Sequence, residues 1–456
     1  MTVDSSIFKA YDIRGVVPDQ LNPEVIEKIG RAYVRLLQSE NPDKRLKVVV
    51  GHDMRLSSKE LTQALIQGLT KAGADVVDIG LASTPTFYFA VGYYGYDGGL
   101  QVSASHNPKE YNGLKMVRAK AVPISGNSGI ETMRDWVIED KFEDAQKPGQ
   151  VEKLEGVVEK AYEEEVRAFG IDLKKIKPFK IVVDPANAMG SVDVEVMFKD
   201  SPVELIKLNW ELDGSFPNHE ADPLKEENLK QLQEAIKANQ ADLGIAVDGD
   251  ADRYFFVDEK GQPMRQEILR GIMAQEVLKD HPGAVICYDI RPGKITKDMI
   301  EEAGGIPSVT RVGHSLIKEQ MIKEGAPFGG ESSGHYFFTA KFGVFEMPVV
   351  LVLKFLTWLS QQNKPLSEAI KPYQKYYHSG EINSVVDDPQ AKIKELAEKY
   401  ADAEISYLDG ITVTYPDFWF NVRPSNTEPK LRLNLEAVSP ELMAEKRDEV
   451  LKVIRS

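Results

Sequence analysis

The sequence predicts an α/β protein of three related α/β domains in tandem, followed by a smaller α+β unit. Three observations predict it. Short β-branched runs alternate with amphipathic helical stretches over most of the chain, the pattern of largely parallel strands covered by helices. Three stretches resemble one another, each an apolar strand running into an aspartate and a turn: LKVVVGHDMR at 46–55, FKIVVDPANA at 179–188 and GAVICYDIRP at 283–292. Their aspartates, Asp53, Asp184 and Asp289, stand a domain's length apart, too far for a solenoid repeat. Finally, the last eighty or so residues read as strands followed by one helix that begins at Ser439-Pro440.

Taken in order, Asn22-Pro23 places a capping side chain before a proline and predicts a helix there. Ser57 stands three residues before Glu60, a capping-box spacing that predicts a second helix with Ser57 as its cap. The stretch QKPGQV at 146–151, the hairpin-like segment after Arg253 and the run from Lys371-Pro372 to Gly380 read as junctions. They divide the chain into expected domains 1–150, 151–254, 255–372 and 373–456. The most apolar stretch, FGVFEMPVVLVLKFLTWL at 342–359, holds Glu346, Pro348 and Lys354 and lacks the run of about 18 apolar residues that a spanning helix needs. It predicts a buried helix.

Composition narrows the function. The chain has 456 residues, 42% hydrophobic and 28% charged, and 71 acidic residues against 56 Lys and Arg leave a net charge of −15. That charge disfavours broad attraction to nucleic acid or anionic lipid, so an anion site has to be a local basic pocket. A single cysteine, Cys287, excludes an intramolecular disulfide framework and a Cys-rich zinc site. With an N-terminus, MTVDSSIFKAYDIRG, that lacks the basic start and apolar stretch of a secretory signal, a cytoplasmic protein without membrane or nucleic-acid partners is expected.

Four loops carry candidate chemistry. In LGIAVDGDADRYFFVDEKG at 243–261 an apolar strand ends in Asp248, Asp250 and Asp252, with Arg253 next. Carboxylates at i, i+2 and i+4 can converge on one hard cation, and oxygen-only ligation suits Mg²⁺ or Ca²⁺. An EF-hand loop from Asp248 would put Glu259 at its twelfth position, but its required glycine at six is Arg253; a haloacid-dehalogenase-type phosphatase expects Thr or Val where Asp252 stands. SASHNPKEYNGLK at 103–115 follows an apolar stretch and offers Ser105 as a nucleophile, without the G-x-S-x-G of a hydrolase elbow. GGESSGH at 329–335 brings Glu331, Ser333 and His335 to a glycine-rich turn suited to sugar hydroxyls. RPSNTEP at 423–429 brings Arg423, Ser425, Asn426 and Thr427 together, a forked cation with hydroxyl and amide donors that suits a phosphate dianion. Read alone, each loop also fits an ordinary turn.

Together, SASHNP, DGDADR, GGESSGH and RPSNTEP occur in the order and at roughly the separations of the α-D-phosphohexomutase superfamily, which the chain resembles from FKAYDIRG at 8–15 to its final helix. Within it the chain looks most like the phosphomannomutase/phosphoglucomutase group. The resemblance implies three α/β domains with mixed sheets and a TATA-binding-protein-like C-terminal domain, around a cleft that receives one loop from each. It implies reversible transfer of a phosphoryl group between O6 and O1 of mannose or glucose phosphates, through phospho-Ser105 and a hexose 1,6-bisphosphate. By the same resemblance Asp248, Asp250 and Asp252 hold Mg²⁺ with a phosphate oxygen on Ser105. Arg14, Lys115 and Arg253 supply positive charge, and Lys115 or His106 assists proton transfer. Glu331, Ser333 and His335 bind hydroxyls, and Arg423, Ser425, Asn426 and Thr427 clamp the idle phosphate. Tyr11, Arg291 and His314 contact the bound sugar phosphate, and the protein is a monomer or homodimer.

Departures from the pattern are Arg291 where Lys is frequent, Ser103 where Thr is common, and FGVFEMP at 342–348, which lacks the acidic pair usual before that helix. Phosphoglucosamine mutase, the nearest enzymatic alternative, usually has Gly at the position of Asn426. A non-catalytic sugar-phosphate- or calcium-binding protein is the alternative from another class.

Overall fold

The computed structural model describes residues 3–424 and 430–456. The chain forms two compact bodies, one of Met1–Met264 with Ser333–Ser367 and one of Arg265–Ser332 with Glu368–Ser456.

The first body holds two mixed sheets. In the first, β1 (Ile13–Val16), β2 (Lys47–His52), β3 (Asp75–Leu81), β4 (Gly98–Val102), β5 (Tyr111–Arg118) and β6 (Val151–Lys153) lie in the order β1-β5-β4-β2-β3-β6. In the second, β7 (Lys180–Asp184), β8 (Glu204–Lys207), β9 (Leu243–Val247) and β10 (Tyr254–Asp258) lie in the order β10-β9-β7-β8. β2 is parallel to both β3 and β4, β7 is parallel to both β8 and β9, and an antiparallel strand joins beyond β4 and beyond β9. In the second body Val285–Asp289 is likewise parallel to Ile306–Thr310 and Phe328–Gly330 on its two sides. The three stretches that resemble one another in sequence are thus the central strands of three like-ordered parallel triplets, and their aspartates stand at the C-terminal strand ends, where open α/β sheets place their sites. β6 pairs with β3, and β10 with β9, so both sheets run a few residues past the limits expected at 150 and 254.

Helix Pro23–Glu40 begins as its sequence predicts: the Asn22 side chain accepts from Val25 N at 3.1 Å, and Pro23 supplies a preset φ. Its buried face, including Ile26, Ile29, Tyr33 and Leu37, packs with Leu61, Leu65 and Leu69 of helix Ser58–Lys71 and with Val48, Val50 and Leu100 of the sheet. That second helix starts where expected, but Ser57 does not cap it. Ser57 has helical φ and ψ of −86° and −13° instead of the extended backbone of a capping residue, and its hydroxyl accepts from Asn112 Nδ2 at 2.8 Å. The apolar stretch at 342–359 gives a strand, Gly343–Glu346, and then helix Pro348–Gln362, buried along most of its length. Among the described residues no helix is long and apolar enough to cross a membrane.

The second body ends in an antiparallel sheet containing Glu404–Ser406, Ile411–Thr414, Phe418–Pro424 and Lys430–Ala437. Strand alternation sorts its side chains. Phe418, Phe420 and Val422 join a core with Leu396 and Val450 of helices Pro389–Lys399 and Pro440–Ile454, which leaves Trp419, Asn421 and Arg423 on the opposite face.

Glu165, in helix Val157–Ala168, and Asp193, in helix Gly190–Phe198, are buried acids of the first body that form no ion pair among the described residues. Burial pushes Asp193 from 3.8 up to about 7, against hydrogen bonds from Ser83 and Thr86, and burial next to Asp193 raises Glu165 well above the carboxylate range. An acid whose pKa is higher in the folded than in the unfolded chain stabilises the fold most at low pH, and that contribution fades as pH rises through the folded value. Wild-type stability attributable to Asp193 therefore declines between about pH 4 and pH 7. Asp193→Asn is expected to flatten this decline, by on the order of 1–3 kcal/mol at pH 8 relative to pH 5, measured by urea unfolding across that range.

Candidate active site

β4 delivers the chain to Ser103, and residues 104–110 turn back into β5 through two tight turns, closed by Asn107 N to Ala104 O at 3.0 Å and Tyr111 N to Pro108 O at 3.0 Å. Ser105 is held at φ +50°, in the left-handed region that a non-glycine residue adopts only when its surroundings fix it. Ser103 accepts from Ser105 N at 3.0 Å, so the serine found in place of the more common threonine still braces the turn through its hydroxyl.

The acidic triplet lies between β9 and β10. Gly249 is required there, because a Cβ would stand 2.2 Å from the Ser105 carbonyl oxygen. That close approach brings the two distant loops together: Ser105 Oγ donates to Asp248 Oδ2 at 2.8 Å. Strands flank the triplet on both sides, which excludes the helix-loop-helix of an EF-hand, and Glu259 accepts instead from Ser367 N at 3.1 Å.

Three cations surround the pair. Lys115 Nζ, on β5, is 2.7 Å from Asp250 Oδ2 and 2.5 Å from Asp252 Oδ2. Arg253 Nε donates to Asp248 Oδ2 at 2.9 Å. Arg14, on β1, donates to Asp12 Oδ2 at 2.7 Å and also to the Asn107 side chain. His106 Nδ1 lies 3.2 Å from Ser105 Oγ, whose own hydrogen is engaged by Asp248. Burial, reinforced by Arg253 and Arg14, drives the His106 pKa far below the usual histidine range. Burial also opposes the charge of Lys115, but Asp250 and Asp252 outweigh it and raise its pKa well above the usual lysine value.

The triplet fits a hard divalent cation. Each of its carboxylates offers an oxygen within 4.8 Å of the others, all three side chains are buried, and Asp250 Oδ1 has no hydrogen-bond partner among the described residues. Three carboxylates against Lys115 and Arg253 leave an excess of negative charge in a low-dielectric setting, which a dication would neutralise. Burial, with Asp252 and Asp250 alongside, pushes Asp248 up to about 7 despite Arg253.

His335 and Ser333 join this cluster: His335 Nε2 is 3.3 Å from Asp252 Oδ1, Ser333 Oγ is 3.1 Å from His335 Nδ1, and the His335 backbone bridges to Arg253. Glu346 follows closely, with an oxygen within 4.8 Å of ligand atoms on Asp252 and His335, so the FGVFEMP variation retains one acid there. Tyr11 is half-buried beside Asp12, the partner of Arg14.

The second body holds the remaining candidates. Arg291 Nε donates to Asp289, and its NH2 is 3.7 Å from Glu331 Oε1, so the fork of an arginine bridges two acids where a lysine would offer one point charge. Glu331 also accepts from Gly313 N at 2.9 Å, which ties it to the start of helix His314–Glu324, whose first residue is His314. Arg423 pairs with Glu381. Ser425, Asn426 and Thr427 lie outside the described residues. Arg291 also borders a cavity of about 480 Å³ lined in part by Tyr288, Lys294, Thr412 and Trp419.

Sequence reasoning missed three contributors. Thr84 donates its hydroxyl to Asp250 Oδ2 and its backbone N to the Asp250 carbonyl, Glu381 partners Arg423, and buried Arg55 lies under the serine loop. Only Arg55 left a signal: its Asp-x-Arg reappears as Asp289-Ile290-Arg291 in the third of the similar stretches.

Comparison with known proteins agrees with this geometry. Residues 5–141, 160–261 and 266–376 match phosphoglucomutase/phosphomannomutase alpha/beta/alpha domains I, II and III, and 381–453 match the C-terminal domain of the same family. The chain is 39% identical over 445 residues to the phosphohexose mutases of Xanthomonas campestris pv. campestris strain B100, covering 97% of each chain. It is 38% identical over 454 residues to the phosphomannomutase of Methanocaldococcus jannaschii, covering 99% of this chain and 98% of that one. A solved phosphoglucomutase/phosphomannomutase family protein from Burkholderia thailandensis superposes with a TM-score of 0.90 at 34% identity, over 99% of this chain and 97% of the other. Four tandem domains in family order, with the serine loop and the acidic triplet joined at a hydrogen bond, establish that the chain belongs to the phosphoglucomutase/phosphomannomutase family.

Proposed function

We propose that the protein is a phosphohexomutase that interconverts hexose 6-phosphate and hexose 1-phosphate, with mannose and/or glucose phosphates as substrates and phospho-Ser105 as the working form. The observation that carries this reading is the 2.8 Å bond from Ser105 Oγ to Asp248, two residues 143 apart in sequence. A serine hydroxyl presented by a left-handed residue, against a buried acidic triplet and flanking cations, suits phosphoryl transfer, which depends on positioning and charge neutralisation.

In the forward half-reaction the phosphoryl group leaves Ser105 Oγ for O1 of hexose 6-phosphate. The Oγ–P bond breaks, the O1–P bond forms, and the proton lost from O1 is balanced by one gained at Ser105 Oγ. In the second half the O6–P bond breaks, the Oγ–P bond forms again, and the proton lost from Ser105 Oγ is balanced by one gained at O6, so hexose 1,6-bisphosphate is the intermediate and the activator. Asp248, Asp250 and Asp252 would hold Mg²⁺, together with an oxygen of the phosphate on Ser105. Bound there, the ion would neutralise charge on the transferring group. Lys115 and Arg253, with Arg14 beside the turn, place positive charge at the same group. Lys115 or His106, whose Nδ1 lies 3.2 Å from Ser105 Oγ, assists proton transfer. Arg291, His314, Glu331, Ser333 and His335, with Tyr11, bind hydroxyls and phosphate, and Arg423, Ser425, Asn426 and Thr427 clamp the idle phosphate.

The same proposal includes domain limits near 150, 254 and 372, a TATA-binding-protein-like last domain, a monomer or homodimer, and a cytoplasmic location. An antiparallel sheet with helices Pro389–Lys399 and Pro440–Ile454 packed in one core supports the last-domain assignment. The test is a ³¹P NMR panel of mannose, glucose and glucosamine 6-phosphates with Mg²⁺ and a trace of bisphosphate. Conversion of the mannose or glucose compound supports the proposal, exclusive conversion of the glucosamine compound transfers the assignment to phosphoglucosamine mutase, and no conversion overturns it.

A further inference from the structure

Arg55 is 3% exposed, and its guanidinium is consumed by one short stretch of backbone. One terminal nitrogen donates to Pro108 O at 2.8 Å and to Tyr111 O at 3.0 Å; the other donates to Ser105 O at 2.7 Å and to Asn107 O at 2.6 Å. Four carbonyls of the loop that carries the serine thus converge on one cation. Its Nε faces Asp53 Oδ2 at 3.3 Å, while Asp53 Oδ1 accepts from Arg55 N at 3.0 Å and from the Ser58 hydroxyl at 2.5 Å.

The guanidinium is also covered by the chain that follows β8. The Phe216 ring lies 5.1 Å away, and the chain at Gly214 approaches so closely that a Cβ there would stand 2.7 Å from Arg55 Cα. Met54, between Asp53 and Arg55, packs with Phe216 against Ala186, Ala188 and Ala221 near the second sheet. The tripeptide therefore grips the serine loop with one residue and the neighbouring sheet's loops with the next.

We propose that Arg55 is the positioning residue of the phosphoryl-transfer site: it holds Ser105 in its left-handed conformation and sets the serine hydroxyl against Asp248. This deepens the mutase reading and rests on it. Ionised donors make the stronger hydrogen bonds, and a planar fork can serve carbonyls arrayed on two sides, whereas a lysine ammonium is a compact point with three donors. The buried guanidinium is too enclosed to touch substrate, so its effect is to be read in turnover and not in substrate affinity. A misplacement of about 1 Å at a reacting group can lower a rate about 10²-fold.

The test compares the full-length, Mg²⁺-loaded wild type with Arg55→Lys, using steady-state kinetics and amide hydrogen exchange. The expected result is a kcat lowered about 10²-fold with KM for the sugar phosphate within about threefold. Exchange should accelerate at residues 103–111, with the helix at 23–40 as protected as in wild type. Should Arg55→Lys not fold, Phe216→Leu removes the ring from the guanidinium while leaving every donor in place, and a smaller change in the same two readouts is expected. Wild-type kcat and loop exchange in the variant would overturn the proposal, as would acceleration throughout the first body, which marks a purely structural role. If the wild type itself shows no mutase turnover, the functional reading fails, and the exchange pattern alone still decides whether Arg55 holds the loop.

Discussion

Ser105→Ala is expected to lower mutase turnover by at least about 10³-fold, the scale seen when a covalent nucleophile is removed. The fold should persist. The substitution removes one oxygen from a residue that is already almost wholly buried, and the backbone bonds that shape its loop, including Ser105 N to Ser103 Oγ at 3.0 Å and Ser105 O to Arg55 at 2.7 Å, do not involve that oxygen. Losing the donor to Asp248 costs about 1 kcal/mol, small for a chain of this size. A coupled assay with matched circular dichroism checks both halves, and turnover comparable with wild type would remove Ser105 from the mechanism.

The second large effect is expected at Asp250. Its Oδ2 receives Lys115 and the Thr84 hydroxyl, while Oδ1 is buried and has no hydrogen-bond partner among the described residues. Asp250→Asn keeps the shape and removes a full negative charge from the triplet. The Mg²⁺ concentration that gives half-maximal activity should rise about tenfold or more, and saturated turnover should fall by roughly 10²-fold, because both cation affinity and the placement of Lys115 depend on that charge. Titrating Mg²⁺ against rate for both proteins gives the answer. An identical Mg²⁺ response would take the triplet out of the metal site.

These two predictions depend on contacts that the sequence exposed only in part. The strands that end at Asp53, Asp184 and Asp289 were legible because a parallel strand buried on both faces must be written as an apolar run. The serine loop, the acidic triplet and the glycine-rich loop were legible because each concentrates its chemistry within a few consecutive residues. Pairing between distant segments was not. Thr84 meets Asp250 and Arg55 meets Ser105 O only after the sheets are assembled; Thr84 stands in no stretch whose local pattern marks a site, and the Asp-x-Arg of Arg55 does not say which loop the guanidinium will grip.

Ser57 shows the same limit in reverse. Its spacing to Glu60 matches a capping box, but Asn112 on β5 competes for the hydroxyl and the backbone is already helical there. The short strands Val151–Lys153 and Tyr254–Asp258 extended their sheets past the expected limits because strand pairing is decided by the partner's free edge, which a local reading does not contain. His335 belongs to a loop whose sequence suggested hydroxyl binding, and its imidazole also lies against Asp252, a contact the local sequence does not reveal.

The most direct measurement is intact-protein and peptide mass spectrometry after incubating the wild type with hexose 1,6-bisphosphate and Mg²⁺. The account predicts a gain of one phosphoryl group, mapped to the peptide containing Ser105 and discharged when excess hexose phosphate is added. A protein that gains no phosphoryl group, or carries it on another residue while still turning over substrate, would contradict it.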